Sequence, residues 1–241
     1  MAGHSKWNNI KRVKGVQDAK KGALLSRISK EIIIATQIGG SGDSAFNPYL
    51  RVAISKAKAS NMPNEKIEKA INKALGKSDS DTLEEKTYEV NAFSGAILLI
   101  DCETENSNRT LTEIKTIVGK SGAKVVPEGS LSWNFKELGK IVISAKDNID
   151  ETILSLISID GVVDVNNEES EVTTYTNKES LKYVLEQMKK VIPNYEFVEA
   201  ELIKLANEGI SLEEKDLDQN IELIEKIKSH PDVVYVWDNI K

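Results

Sequence analysis

Residues 140–200 read KIVISAKDNIDETILSLISIDGVVDVNNEESEVTTYTNKESLKYVLEQMKKVIPNYEFVEA, and the order of elements in this stretch decides the fold. Ile141–Ile143 is a short apolar run of the kind that forms a buried strand. Ile149–Ile159 carries helical spacing, and Val162–Val165 and Glu171–Thr176 are β-branched and separated by polar turn residues. Leu181–Lys190 returns to the helical period, and Tyr195–Ala200 closes as a strand. Strand, helix, strand, strand, helix, strand is a complete ferredoxin-like unit.

On either side of this unit the pattern is incomplete. Upstream come a strand at Ala96–Ile100, a helix from Ser107 to Val118 stopped by Gly119, and strands near Lys124–Val126 and Leu131–Phe135, the last alternating as Leu131, Trp133, Phe135. Downstream remain one helix, Leu217–Lys228, and one strand, Val233–Trp237. An unclosed half-module would expose a sheet face and a helix stripe, so the two flanks are expected to complete each other around the insert. The expected α/β domains are therefore 80–138 joined to 206–241, with 139–205 inserted.

The first 79 residues have another character. Met1–Gln17 has little apolar content and no clean period, and reads as a flexible arm. A helix starts near Asp18, an N-cap type residue, carries Leu24, Leu25, Ile28, Ile32 and Ala35 inward, and is stopped by Gly39-Gly40. Asn47-Pro48 is a cap followed by proline at the first helical position, opening a second helix with Leu50, Ile54 and Ala57 inside and Arg51, Lys56 and Lys58 toward solvent. Pro63 opens a third, buried through Ile67, Ala70, Ile71 and Ala74. Gly76 and Ser78-Asp79-Ser80-Asp81 end it as a cap and linker. The expected class is α+β, an N-terminal three-helix domain (1–79) plus two ferredoxin-like α/β domains, one inserted into the other.

Charge separates the same parts. The 241-residue chain has a net charge of −6, but residues 1–77 carry 15 Lys/Arg against 5 Asp/Glu, and the remainder carries 17 against 33. An excess of ten cations in one short segment suits a polyanion, with the acidic part held away from it. In the arm, Lys6, Trp7, Lys11, Arg12 and Lys14 mix cations with one ring and continue into Lys20 and Lys21, with Arg51 and Lys58 extending the patch. This composition serves phosphate contacts and stacking on an unpaired base. The competing structural role is for Trp7 to fold back as an apolar anchor while the lysines keep the arm soluble.

Several function classes find no support. There is no phosphate-binding loop, no dinucleotide fingerprint, no H-E-x-x-H and no nucleophile elbow. Gly39-Gly40-Ser41-Gly42 follows a helix and lacks the lysine of a phosphate loop, so it reads as a helix stop and flexible loop. Glu168-Glu169 and Glu213-Glu214 sit in charge-rich, solvated settings. Cys102 is the only cysteine and stands with two histidines, His4 and His230, too few for a Cys/His zinc site. Neither a run of ~18 apolar residues nor a signal peptide is present. A cytoplasmic non-enzyme is expected, with no cofactor, no membrane and no small-molecule substrate.

Gly3-His4-Ser5-Lys6-Trp7, Ile10-Lys11, Asp18-Ala19-Lys20, Asn47-Pro48, Leu50-Arg51, Ala57-Lys58-Ala59 and Asn61-Met62-Pro63 together resemble the signature of the YebC family in order and spacing. Weaker matches continue as Tyr88-Glu89, Asn108-Arg109-Thr110, Gly129-Ser130 and Asp232-Val233, so the resemblance covers the whole chain. It implies a helical domain followed by two α/β domains. It also implies a DNA-binding transcriptional regulator or, as in the related mitochondrial translational activator of cytochrome oxidase, action at the ribosome when proline-rich nascent chains stall. Two departures stand out. Val90-Asn91-Ala92-Phe93-Ser94-Gly95 occupies a segment usually rich in glycine, and Tyr49 stands where an arginine is common.

Overall fold

The computed structural model describes residues 24–77, 84–145, 148–168, 170–192 and 195–241. It is α+β, with an N-terminal helical region and two four-stranded sheets. The described residues fall into two compact units, one of 24–27, 84–136 and 205–241, the other of 28–77 and 137–204.

In the first unit the sheet has the order β3 (Lys124–Val126), β1 (Glu84–Asn91), β2 (Ile97–Thr104), β8 (Val233–Asp238), with every neighbouring pair antiparallel. Between β2 and β3 runs a helix over Ser107–Lys120 (α4), and before β8 a helix over Glu214–Lys228 (α7). The C-terminal helix and strand stand in the same unit as the upstream strands, with β8 pairing along β2. Val90, Leu98, Ile100 and Cys102 from the sheet pack with Ile114 and Val118 of α4 and Leu223, Ile224 and Ile227 of α7. Cys102 serves there as a small buried apolar residue.

One strand differs from the expectation. Ser132–Asn134 forms a single 3₁₀ turn rather than part of a strand, and Trp133 is 71% exposed. Its expected place in the sheet is taken by Glu84–Asn91, paired along its whole length with β2. The cause is Glu89, whose side chain is buried and accepts hydrogen bonds from the backbone N–H groups of Gly129 at 2.7 Å, Leu131 at 2.5 Å and Ser132 at 3.3 Å. Those donors are drawn around a carboxylate and are not offered to a neighbouring strand.

The second unit contains the sheet β5 (Val162–Glu168), β6 (Glu171–Asn177), β4 (Phe135–Ser144), β7 (Glu196–Ala206) in that order. Helices over Ile149–Ile157 (α5) and Leu181–Val191 (α6) make the crossovers. This is the strand order of the split βαβ unit read from residues 140–200. The same unit holds residues 28–39 of a helix described over 24–39 (α1), followed by Pro48–Ala59 (α2) and Asn64–Ala74 (α3). The Asn47 cap is confirmed in detail: its Oδ1 accepts from Leu50 N–H at 3.1 Å, and its Nδ2 donates to the carbonyls of Ala35 and Ser41, both at 2.9 Å. Leu24, expected inside α1, is exposed, while Leu25, Ile28, Ile32, Ala35 and Ile38 are buried.

Candidate nucleic-acid interface

Of the residues proposed to contact nucleic acid, Lys6, Trp7, Lys11, Arg12, Lys14, Lys20 and Lys21 lie outside the described residues. Arg51 and Lys58 are described. Seven positions apart on α2, they stand on one helical face and are both exposed. Arg51 is held in place: its Nε donates to the Ser44 carbonyl at 3.1 Å and its Nη2 to the Ala45 carbonyl at 3.2 Å. The guanidinium is thereby fixed against residues 44–45 with its Nη1 edge outside both bonds.

Lys56, expected on the same solvent-facing surface, is used internally. Its Nζ lies 2.9 Å from the Glu31 carboxylate and 3.1 Å from that of Glu199 on β7. Glu199 is shared with Lys140, at 2.9 Å, and Lys140 also reaches Glu201, at 3.2 Å. Three carboxylates thus share two ammonium groups. Burial pushes the Glu31 carboxyl above its ordinary range against the pull of Lys56. For Glu199 burial acts in the same sense, but Lys140 and Lys56 together win and hold its carboxyl low. The ammonium of Lys56 is disfavoured by burial, yet its two carboxylate partners raise its pKa.

Tyr49 explains why no arginine is needed at its position. It is only 2% exposed, its ring meets Phe197 of β7 edge-on at 4.7 Å, and its hydroxyl is 3.5 Å from both the Leu185 carbonyl and the Tyr195 hydroxyl. Lys189 lies over its face at 4.6 Å. Burial, with Tyr195 beside it, pushes the phenol well above its usual pKa. Position 49 therefore belongs to the core of this unit. Arg27, another cation flanking α1, is also engaged: in the first unit its Nε donates to the Val234 carbonyl at 2.7 Å and its guanidinium lies 4.9 Å over the Tyr235 ring.

The weaker fragments of the motif resemblance prove to be partners in pairs. Glu89 closes the turn at Gly129-Ser130 through the bonds given above. Asp232 accepts from the Thr110 hydroxyl at 2.6 Å and from Arg109 Nη2 at 3.2 Å, while Thr110 lies 2.8 Å from the Thr104 hydroxyl. Burial alone would raise the Asp232 carboxyl, but the hydrogen bonds from Thr110, Thr104 and Arg109 hold it below the usual carboxylate range. Val90–Gly95 likewise has a structural role: the Asn220 side chain on α7 bonds both the N–H and the carbonyl of Phe93, at 3.3 Å each. These sites consume their polar groups in holding the fold together.

The two parts of the chain match family models described as the TACO1/YebC protein N-terminal domain, over residues 5–77, and the TACO1/YebC second and third domain, over residues 83–240. The chain belongs to the YebC family. It is 35% identical over 241 residues to a probable transcriptional regulatory protein of Brachyspira hyodysenteriae, covering all of this chain and 97% of that one. It is 40% identical over 243 residues to one from Syntrophomonas wolfei, covering all of this chain and 96% of that one. Among solved structures it is similar to a conserved hypothetical protein from Aquifex aeolicus, with a TM-score of 0.70 and 32% identity over 93% of this chain and 91% of that one. Among the described residues no helix is long and apolar enough to cross a membrane.

Proposed function

We propose that this chain is a non-enzymatic, cytoplasmic, nucleic-acid-binding regulator of gene expression whose basic N-terminal segment meets the polyanion. The observation that carries the reading is the division of charge: 15 Lys/Arg against 5 Asp/Glu in residues 1–77, and 17 against 33 in the rest. The regulatory names of its relatives support it. So does the exposed pair Arg51 and Lys58 on one face of α2. Contacts from Lys6, Trp7, Lys11, Arg12, Lys14, Lys20 and Lys21 belong to the same proposal.

The composition of the segment favours folded RNA over one promoter sequence, which brings in the second reading, a ribosome-associated translation factor. Lysine outnumbers arginine by 12 to 3 in residues 1–77, and lysine meets phosphate as a point charge without the bidentate geometry that reads guanine. Sedimentation of a cell lysate at moderate salt tests it. A substantial share should travel with ribosomes, and the variant with Lys6, Lys11, Arg12 and Lys14 changed to Gln should not. Absence from ribosomal fractions, together with binding to one promoter ~1000-fold better than to random duplex at physiological salt, would instead establish the transcription-factor reading.

A further inference from the structure

The loop between α1 and α2 is built to present Phe46. At 80% exposure this ring is the most open large apolar side chain among the described residues, and it stands in the most basic part of the chain. A lone exposed apolar residue is ordinary on a mobile surface. Here the backbone that carries it is held at nearly every step. Gly40, at φ +66°, ends α1 by donating its N–H to the Thr36 carbonyl at 3.0 Å. The Ser41 hydroxyl accepts from Asp43 N–H at 3.1 Å, Asp43 Oδ1 accepts from Ala45 N–H at 2.8 Å, and the Asp43 carbonyl accepts from Phe46 N–H at 3.1 Å. Asn47 ties Ser41 to the start of α2, and Arg51 ties the carbonyls of Ser44 and Ala45 to its first turn. Gly39 admits the Asn47 side chain so closely that an added Cβ would lie 2.1 Å from it.

An aromatic ring on so constrained a loop loses little freedom on stacking, and two sources of positive potential adjoin it. Arg51 is fixed to the same loop, and Phe46 immediately precedes the cap of α2, whose N-terminal dipole is positive, while Lys58 continues the same face of the helix further along. Ring and cations together fit a base with its phosphate. They do not fit an apolar protein patch, against which the cations would have to be desolvated.

We propose that Phe46 is a stacking platform for an unpaired base of single-stranded nucleic acid, with Arg51 on the adjoining phosphate. This rests on the nucleic-acid reading and names its substrate class: a single strand or a loop, since a duplex offers the ring no open base face.

The test is a fluorescence-anisotropy titration of the full chain with a fluorescein-labelled oligouridylate and, in parallel, a duplex RNA of the same length. Phe46→Ala should weaken oligouridylate binding about ten-fold, leave duplex binding unchanged, and keep the wild-type melting temperature because the ring is not part of a core. Phe46→Tyr should restore the affinity. If the wild type binds oligouridylate and Phe46→Ala binds it equally well, the platform is overturned while the general reading stands. If Phe46→Ala keeps its oligonucleotide affinity but no longer sediments with ribosomes, the ring meets protein and the base-stacking assignment falls. Failure of the wild type to bind either RNA removes this inference, and failure to bind a duplex DNA titrated alongside them as well removes the general reading with it.

Discussion

On α2 the charged side chains of Arg51 and Lys58 face solvent, whereas in the first unit the carboxylates of Glu89 and Asp232 are turned inward and closed by donors of the same chain. The contrast teaches where function should be sought. A buried carboxyl group that accepts three backbone N–H groups orders a loop and is closed to a ligand by its burial. An exposed cation on a helix adds little to stability and remains available to a partner. Lys56 marks the limit of the rule, because it belongs to the basic segment yet is held by Glu31 and Glu199.

The largest effect expected from breaking this division lies where the helical segment is part of a core. Tyr49→Ala deletes a ring that is packed edge-on against Phe197, and should cost roughly 3 to 5 kcal/mol in chemical denaturation, as large aromatic truncations do. A loss below about 1 kcal/mol would mean that the ring does not hold α2 to β7. Next comes Glu89→Ala, which leaves the N–H groups of Gly129, Leu131 and Ser132 without their acceptor and should destabilise by about 2 to 3 kcal/mol. Its affinity for nucleic acid should stay at the wild-type value. A parallel loss of binding would show that the acidic region takes part in the interface.

Changing both Arg51 and Lys58 to Gln should have the opposite profile, with stability lowered by no more than the roughly 1 to 2 kcal/mol that the two exposed Arg51 hydrogen bonds supply and the salt dependence of binding reduced. On a single strand the slope of log K against log salt should fall by about 1.4, at roughly 0.7 for each phosphate that is no longer neutralised. The smallest effect concerns Asp232. Its folded carboxyl titrates below the ordinary value, so its contribution is present at neutral pH and is lost as pH falls below 4 through the lowered value. Asp232→Asn should therefore narrow the gap between wild type and variant as melting is followed from pH 7 into that acid range. A gap that widens there would reverse the assigned direction.

Much of the architecture is legible in the sequence because its signals are local and redundant. The insert shows both periodicities in one uninterrupted order, and Asn47-Pro48 announces α2 as cap and first residue together. The features that local patterns miss depend on distant partners. Glu84–Asn91 begins with three charged residues and becomes a strand through its full-length pairing with β2. Leu131, Trp133 and Phe135 alternate as a strand should, but the decisive group, Glu89, lies more than forty positions upstream of the first two of them. Tyr49 stands out in the sequence only as a departure at a position where arginine is common. Its burial depends on Phe197 and Tyr195, which no local pattern connects to it. The site is legible as composition: the charge excess points to the segment, and the same lysine count does not separate Lys58 from Lys56. Phe46 sits alone in a loop of small and polar residues, where periodicity has nothing to measure.

The central claim, that the basic N-terminal segment meets the polyanion, is tested most directly on the full chain, since Tyr49 packs on the insert and a truncated helical fragment would expose it. Binding of a single-stranded RNA should be measured across a series of salt concentrations for the wild type and for the variant with Lys6, Lys11, Arg12 and Lys14 changed to Gln. The account predicts a steep negative log-log slope for the wild type and, at about 0.7 per phosphate on a single strand, a slope shallower by up to ~2.8 in the variant. A flat wild-type slope, or a steep slope that the four substitutions leave untouched, would contradict it.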